Sequence, residues 1–154
     1  MHHIISDGET IRIIAKELSE LYNGKLIPKK EIEYKDFGTY NEDRVDYPIY
    51  AEEVAKSIQR KECDKGILIC GTGFGVSITA NKFKGIRCAS CWNEDVAKLL
   101  KEHNNANIIA LPGRFLTVSQ AIVILRAWIA SEFQGGRHTE RLQMIETIEK
   151  ENMK

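Results

Sequence analysis

Gly66-Ile67-Leu68-Ile69-Cys70-Gly71-Thr72-Gly73-Phe74-Gly75-Val76-Ser77 is the stretch on which the reading of this chain turns. Its first five residues form a continuous apolar run, the pattern of a strand buried on both faces. The run ends in a thiol, and glycines at alternate positions lead into a helical pattern over 76–82. Glycines let backbone approach a ligand closely, and the unpaired N–H groups at a helix start attract anions. The same positive end favours the thiolate of Cys70. One loop can thus supply a base or nucleophile together with an oxyanion hole. A tight strand-to-helix turn around a packed thiol accounts for these residues equally well. The spacing is not the dinucleotide fingerprint, because Val76 stands where a further Gly belongs, and Val76-Ser77 lacks the Lys of a phosphate loop.

Outward from this stretch, short apolar runs alternate with helical patterns. Strands are expected over 3–6, 32–37, 66–70, 86–89 and 107–111. Ile11, Ile14, Leu18 and Leu21 recur at helical spacing, and Asn23-Gly24 ends that helix. Further helices are expected over 48–60, 94–102 and 117–132, with a last amphipathic helix after Gly135-Gly136 that carries Leu142, Ile145 and Ile148. Strand alternating with helix about five times predicts a parallel sheet covered on both faces. Ligands in such folds bind beyond the carboxyl ends of the strands. Residues 71–75, Asp46-Tyr47-Pro48 and Gly113-Arg114 fall at or shortly after three of those ends.

The chain has 154 residues, the length of one domain, so residues 1–154 are expected to form a single unit. Lys plus Arg total 22 and Asp plus Glu total 22, and this balance argues against a general nucleic-acid binder. It leaves room for a small local cluster of Arg. No apolar run approaches the length of a membrane span, and the first residues are too short and polar for a secretory signal. Four sparse cysteines then point to reduced thiols in a cytoplasmic protein. Cys88 and Cys91 have zinc or redox spacing, but no second CxxC and no His pair completes a metal site. They read as two small core or surface thiols, and no metal or cofactor is expected.

Two polar runs add chemistry. His103-Asn104-Asn105-Ala106-Asn107 joins a helix to an apolar strand; His suits proton transfer near neutrality and Asn suits sugar hydroxyls. A dipole-paired His at a helix end, followed by an Asn turn, is the plainer account. Arg137 and Arg141 stand four apart at a helix start with His138 between them, a pattern that suits a phosphate or a solvated face. Arg114, after Pro112-Gly113, is a further possible anion contact.

Taken together, residues 66–82, Val45-Asp46-Tyr47-Pro48, residues 102–107, residues 132–138 and Arg141 resemble the signature of the ribose-5-phosphate isomerase B family, which also contains galactose-6-phosphate isomerase subunits. The likeness runs from about residue 37 to the C-terminus. It implies a three-layer α/β/α Rossmann- or flavodoxin-like domain with a five-stranded, mostly parallel sheet and a C-terminal helix. It implies a homodimer or dimer of dimers whose sites are shared between subunits, acting on a small sugar phosphate and not on nucleic acid or membrane. It implies aldose–ketose isomerisation without metal or cofactor, through a cis-enediolate. The catalytic residues it implies are Cys70 as base, His103 for ring opening, and Thr72. Around the substrate it implies Asp7, Tyr47, Gly71, Gly73, Phe74, Gly75, Asn104, Arg114, Arg137, His138 and Arg141.

The N-terminus departs from that family. Its strand is usually followed by Asp-His-x-Gly; here Asp7 takes the Asp place, Gly8 stands for the His and Thr10 for the Gly. The expected reaction is ribose 5-phosphate to ribulose 5-phosphate. The altered segment keeps two alternatives open: a six-carbon substrate such as allose or galactose 6-phosphate, or a weakened phosphosugar-binding subunit.

Overall fold

The computed structural model describes residues 34–38 and 44–153. In order, the elements are α1 (Tyr47–Gln59), β1 (Gly66–Cys70), α2 (Phe74–Ala80), β2 (Cys88–Ser90), α3 (Glu94–Asn104), β3 (Ile108–Pro112), α4 (Val118–Ala130) and α5 (Arg137–Asn152). The strand expected over 3–6 and the first expected helix lie outside the described residues. So do Ile32 and Glu33; Tyr34 to Phe37 form no strand.

Local chemistry sets the helix limits. Pro48 lies in the first turn of α1, where its missing N–H removes no helical bond. Asn93 caps α3 by accepting from the Val96 amide. Thr117 and Gln120 form a reciprocal capping box at the start of α4. Asn105 ends α3 in the left-handed conformation at φ 44°.

The three strands among the described residues are parallel, in the order β1-β3-β2. The chain leaves β1, passes β3's place to form β2, and then turns back. Crossovers of one hand on paths of opposite direction put their helices on opposite faces. The core bears this out. Leu68 and Cys70 of β1 and Ile108 and Ala110 of β3 pack with Ala51 and Ala55 of α1 and Val76 and Ala80 of α2. Ile109 and Leu111 face the other way, onto Ala97 and Leu100 of α3 and Ile122, Leu125 and Trp128 of α4. β3 is therefore buried along its whole length, and each large side chain it hides stabilises the fold by about 1.5–3 kcal/mol. The result is a Rossmann-like α/β arrangement. No helix of the described residues is long and apolar enough to cross a membrane.

Two expectations need correction. The strand expected over 86–89 joins the ladder only at Cys88, because the Arg87 amide is taken by the Asn107 side chain at 2.9 Å and the Ile86 amide by the Phe83 carbonyl at 3.1 Å. In α5 the expected apolar face is not an inner face: Leu142 is buried, while Ile145 and Ile148 are exposed, 49% and 58%. The helix buries side chains only in its first turns and meets the body near its end through a polar contact, the Gly85 amide donating to the Glu149 carboxylate at 2.8 Å, so its later apolar residues remain on the surface.

Candidate active site

β1 and β3 are neighbours, yet the helices that follow them, α2 and α4, go to opposite faces. A crevice opens where the two connections part, at the carboxyl ends of the strands. Cys70 ends β1 there, with its side chain on the α1/α2 face. It is buried, and the Gly73 amide donates to its Sγ at 3.1 Å.

The loop is pinned from three sides. Cys70 and Gly71 carbonyls accept from the amides of Gly113, 2.8 Å, and Arg114, 3.1 Å. The Arg114 side chain lies over Gly71, where a β-carbon would stand 3.1 Å from Nε. The Tyr47 ring lies against Gly75, its hydroxyl oxygen 2.7 Å from where a β-carbon would be. Gly73 has φ 75°, and a side chain there would run into the Ser90 hydroxyl. Ser90 donates to the Thr72 carbonyl at 3.1 Å, and Ser77 to the Gly73 carbonyl at 2.7 Å. The Phe74 amide donates to the Thr72 hydroxyl at 3.4 Å, and the first amides of α2 have no earlier helical turn to bond. Phe74 itself is exposed at this mouth. The structure thus gathers Cys70, Gly71, Thr72, Gly73, Phe74, Gly75, Tyr47 and Arg114 in one place.

His103, Asn104, Arg137, His138 and Arg141 assemble elsewhere. α3 runs back from the carboxyl end of β2, and its last turn lies just before β3 begins. The Asn107 carbonyl accepts from the Gly66 amide, which places this turn near the start of β1. A five-residue strand spans about 13 Å from first to last residue, so His103 and Cys70 of one chain lie at opposite ends of the sheet. At the amino end, His103 stacks on His138 with ring centroids 4.1 Å apart and planes 12° from parallel. Arg137 and Arg141 are exposed at the start of α5, while His138 between them turns inward and is buried. Burial first, then His103, Arg137 and Arg141, holds the His138 imidazole below its ordinary value.

Three residues here escaped the sequence reading. Arg87 donates through Nε to the Asn104 carbonyl, 3.0 Å, and through Nη2 to the Asn105 carbonyl, 3.1 Å. Gln134 bonds Glu102 twice, amide to carbonyl and side chain to carboxylate, each at 3.0 Å. Ser90 is the third. Arg87 and Ser90 act on backbone carbonyls and Gln134 on both backbone and side chain of Glu102, contacts that span the chain and give these residues no assigned role in residue order; only Arg at a strand start beside an Asn-rich turn was a usable signal. Asp7 lies outside the described residues.

Of the remaining thiols, Cys63 is half-buried and the other two are core. Cys88 and Cys91 are buried and free, and burial pushes them up to about 11 and about 12. Neither serves as a nucleophile near neutrality.

A parallel α/β fold whose ligand loop opens at a switch between strand connections is the class of protein that these features define. The family model described as Ribose/Galactose Isomerase matches residues 6–145, and the chain belongs to that family. It is 43% identical to ribose-5-phosphate isomerase B of Escherichia coli over 121 residues, 79% of this chain and 81% of that protein. Its structure is similar to that of Clostridium thermocellum ribose-5-phosphate isomerase B, with a TM-score of 0.81, 43% identity and coverage of 94% of this chain and 92% of the other. The Mycoplasma genitalium ribose-5-phosphate isomerase B, solved with bound ribulose-5-phosphate, superposes with a TM-score of 0.70 at 37% identity, covering 93% of this chain and 92% of that one.

Proposed function

We propose that the protein interconverts ribose 5-phosphate and ribulose 5-phosphate, and that Cys70 is the base. The observation that carries this reading is the Cys70 sulfur at the strand end, with the Gly73 amide 3.1 Å away and a glycine loop around it. The thiolate removes the C2 proton of the open-chain aldose, and the electron pair moves to give a cis-enediolate. The thiol then returns a proton to C1, while the proton on O2 passes to O1. Loop amides of residues 71–75 and the Thr72 hydroxyl hold the enediolate oxygens, where one donor is worth about 3 kcal/mol. Tyr47 and Phe74 line the pocket and Arg114 lies at its edge. The steps are proton transfers, which the side chains present can perform without metal or cofactor.

His103 opens the furanose ring, Asn104 binds a sugar hydroxyl, and Arg137 with Arg141 hold the phosphate. Because these sit at the other end of the sheet from Cys70, each site joins the carboxyl end of one copy to the amino end of another, in a homodimer or dimer of dimers. The membership in the family supports a sheet of five strands within one domain and a cytoplasmic setting, with Asp7 at the pocket.

Replacing Cys70 by Ala tests the base. Turnover of ribose 5-phosphate should fall by about 10²–10⁴-fold with KM little changed; undiminished turnover removes Cys70 from the mechanism. A panel of five- and six-carbon sugar phosphates tests the substrate, and a higher kcat/KM for allose or galactose 6-phosphate would overturn the five-carbon assignment.

A further inference from the structure

His138 lies beside the arginines but does not share their exposure. Its neighbours explain why. Gln134 is fastened to Glu102 by two bonds of 3.0 Å, so the segment entering α5 is strapped to the last turn of α3. Gly135 and Gly136 then adopt φ 67° and 56°, values that L side chains rarely reach, and the chain doubles back. The His138 amide donates to the Gly135 carbonyl at 3.1 Å, which closes the turn. The outcome is a ring laid flat on His103, carried on the same helix start as Arg137 and Arg141.

We propose that His138 is a positioning residue for ring opening: its buried ring, stacked on His103 and strapped to α3 through Gln134, fixes the His103 imidazole relative to Arg137 and Arg141. The proposal rests on the role given to His103 above. Ring opening breaks the bond between C1 and the ring oxygen O4; a proton leaves the O1 hydroxyl, one arrives at O4, and C1 becomes an aldehyde. An imidazole can carry that proton only if it faces the anomeric carbon while the phosphate is held. Both groups then have to belong to one rigid unit. Stacking fixes the plane of the His103 ring, and Arg137 and Arg141, on the first turns of the helix that carries His138, fix where the phosphate sits.

The reaction supplies a readout that a merely structural role would not move. Ribulose 5-phosphate has its O5 esterified, so it closes no furanose ring. A variant that has lost only ring opening works on the open-chain fraction of ribose 5-phosphate but handles ribulose 5-phosphate normally. For His138→Ala, ribose 5-phosphate turnover should fall on the order of 10- to 100-fold, the reverse direction less than about threefold. His138→Phe keeps a flat ring and should restore most of the loss. Gln134→Ala, which removes the side-chain bond of the strap and leaves its backbone bond and both rings untouched, should show the same one-sided defect more weakly.

Equal losses in both directions overturn the proposal, as does a raised KM with kcat intact, which would make His138 a phosphate contact. If His138→Ala does not fold, His138→Phe and Gln134→Ala decide: a two-sided loss in either overturns it. His103→Ala separates the two levels. A one-sided loss in His103→Ala without one in the His138 and Gln134 variants sinks this inference alone. Unchanged ring opening in His103→Ala sinks both.

Discussion

The two ends of the sheet are built by different means. At the carboxyl end, groups that would meet the substrate are mostly backbone: a glycine loop, the start of α2 and one thiol. Shape there depends on the absence of side chains. At the amino end, the groups proposed to act are side chains on helix termini, and their placement depends on other side chains, namely Arg87 on the carbonyls of α3, Gln134 on Glu102 and His138 on His103. A backbone site tolerates almost no substitution at its core. A side-chain site can be detuned in steps, because each support holds one degree of freedom. Under the proposed mechanism neither end is a complete isomerase site, and one chain cannot bend its sheet to bring them together.

The separation predicts complementation. Cys70→Ala and His103→Ala each lose most of their turnover of ribose 5-phosphate under the proposed mechanism. Refolded together, random pairing gives half hybrid dimers, each with one intact site, so activity should return to about one quarter of the wild type. No recovery would show that each site uses one chain alone. At the carboxyl end, Gly73→Ala combines a left-handed φ with a collision at Ser90. Strain of this kind costs about 1–3 kcal/mol, and moving one oxyanion donor lowers kcat on the order of 10²–10³-fold. Ser90→Gly in the same chain should relieve the collision and leave the φ strain, a partial recovery measurable by thermal melting and turnover.

At the amino end, Arg87→Lys keeps the charge beside the α3 terminus but not the fork that reaches two carbonyls. A loss of about 1 kcal/mol in denaturant unfolding is expected. Ribose 5-phosphate turnover should drop more than that of ribulose 5-phosphate, as Asn104 and His103 loosen. The smallest effect is in pH. The His138 pKa is lowered in the folded protein, chiefly by burial. As pH falls through about 6.5, the unfolded chain therefore takes up this proton first, and stability present above that pH is lost below it. Melting temperatures of His138→Phe, followed from pH 8 to pH 5, should lack this part of the acid-side decline. A decline identical to the wild type would mean that His138 titrates normally.

Much of the carboxyl end was legible in residue order, because its parts are contiguous. An apolar five-residue strand, a thiol and alternating glycines state their own geometry within one turn of chain, and β1 and the loop are found where that pattern puts them. Strand and helix alternation was equally readable, since side-chain period reports burial on one face or both. The limits of β2 were not, because the Asn107 side chain takes an amide from across the turn. The fate of α5 was not readable either: a spacing of three marks a helical stripe but does not say whether anything in the same chain covers it.

What the sequence by itself determined is the set of chemical groups and the three short units that carry them, the loop after β1, the polar run that begins at His103 and the paired Arg137 and Arg141. These follow from local rules of backbone freedom, capping and periodicity. Only the tertiary structure decided that the units lie at opposite ends of one sheet, that His138 faces inward while Arg137 and Arg141 face solvent, and that β3 lies between β1 and β2. Those outcomes come from non-local contacts, strand register and the packing of α5 on α3, which join residues far apart in the chain and leave no period in it.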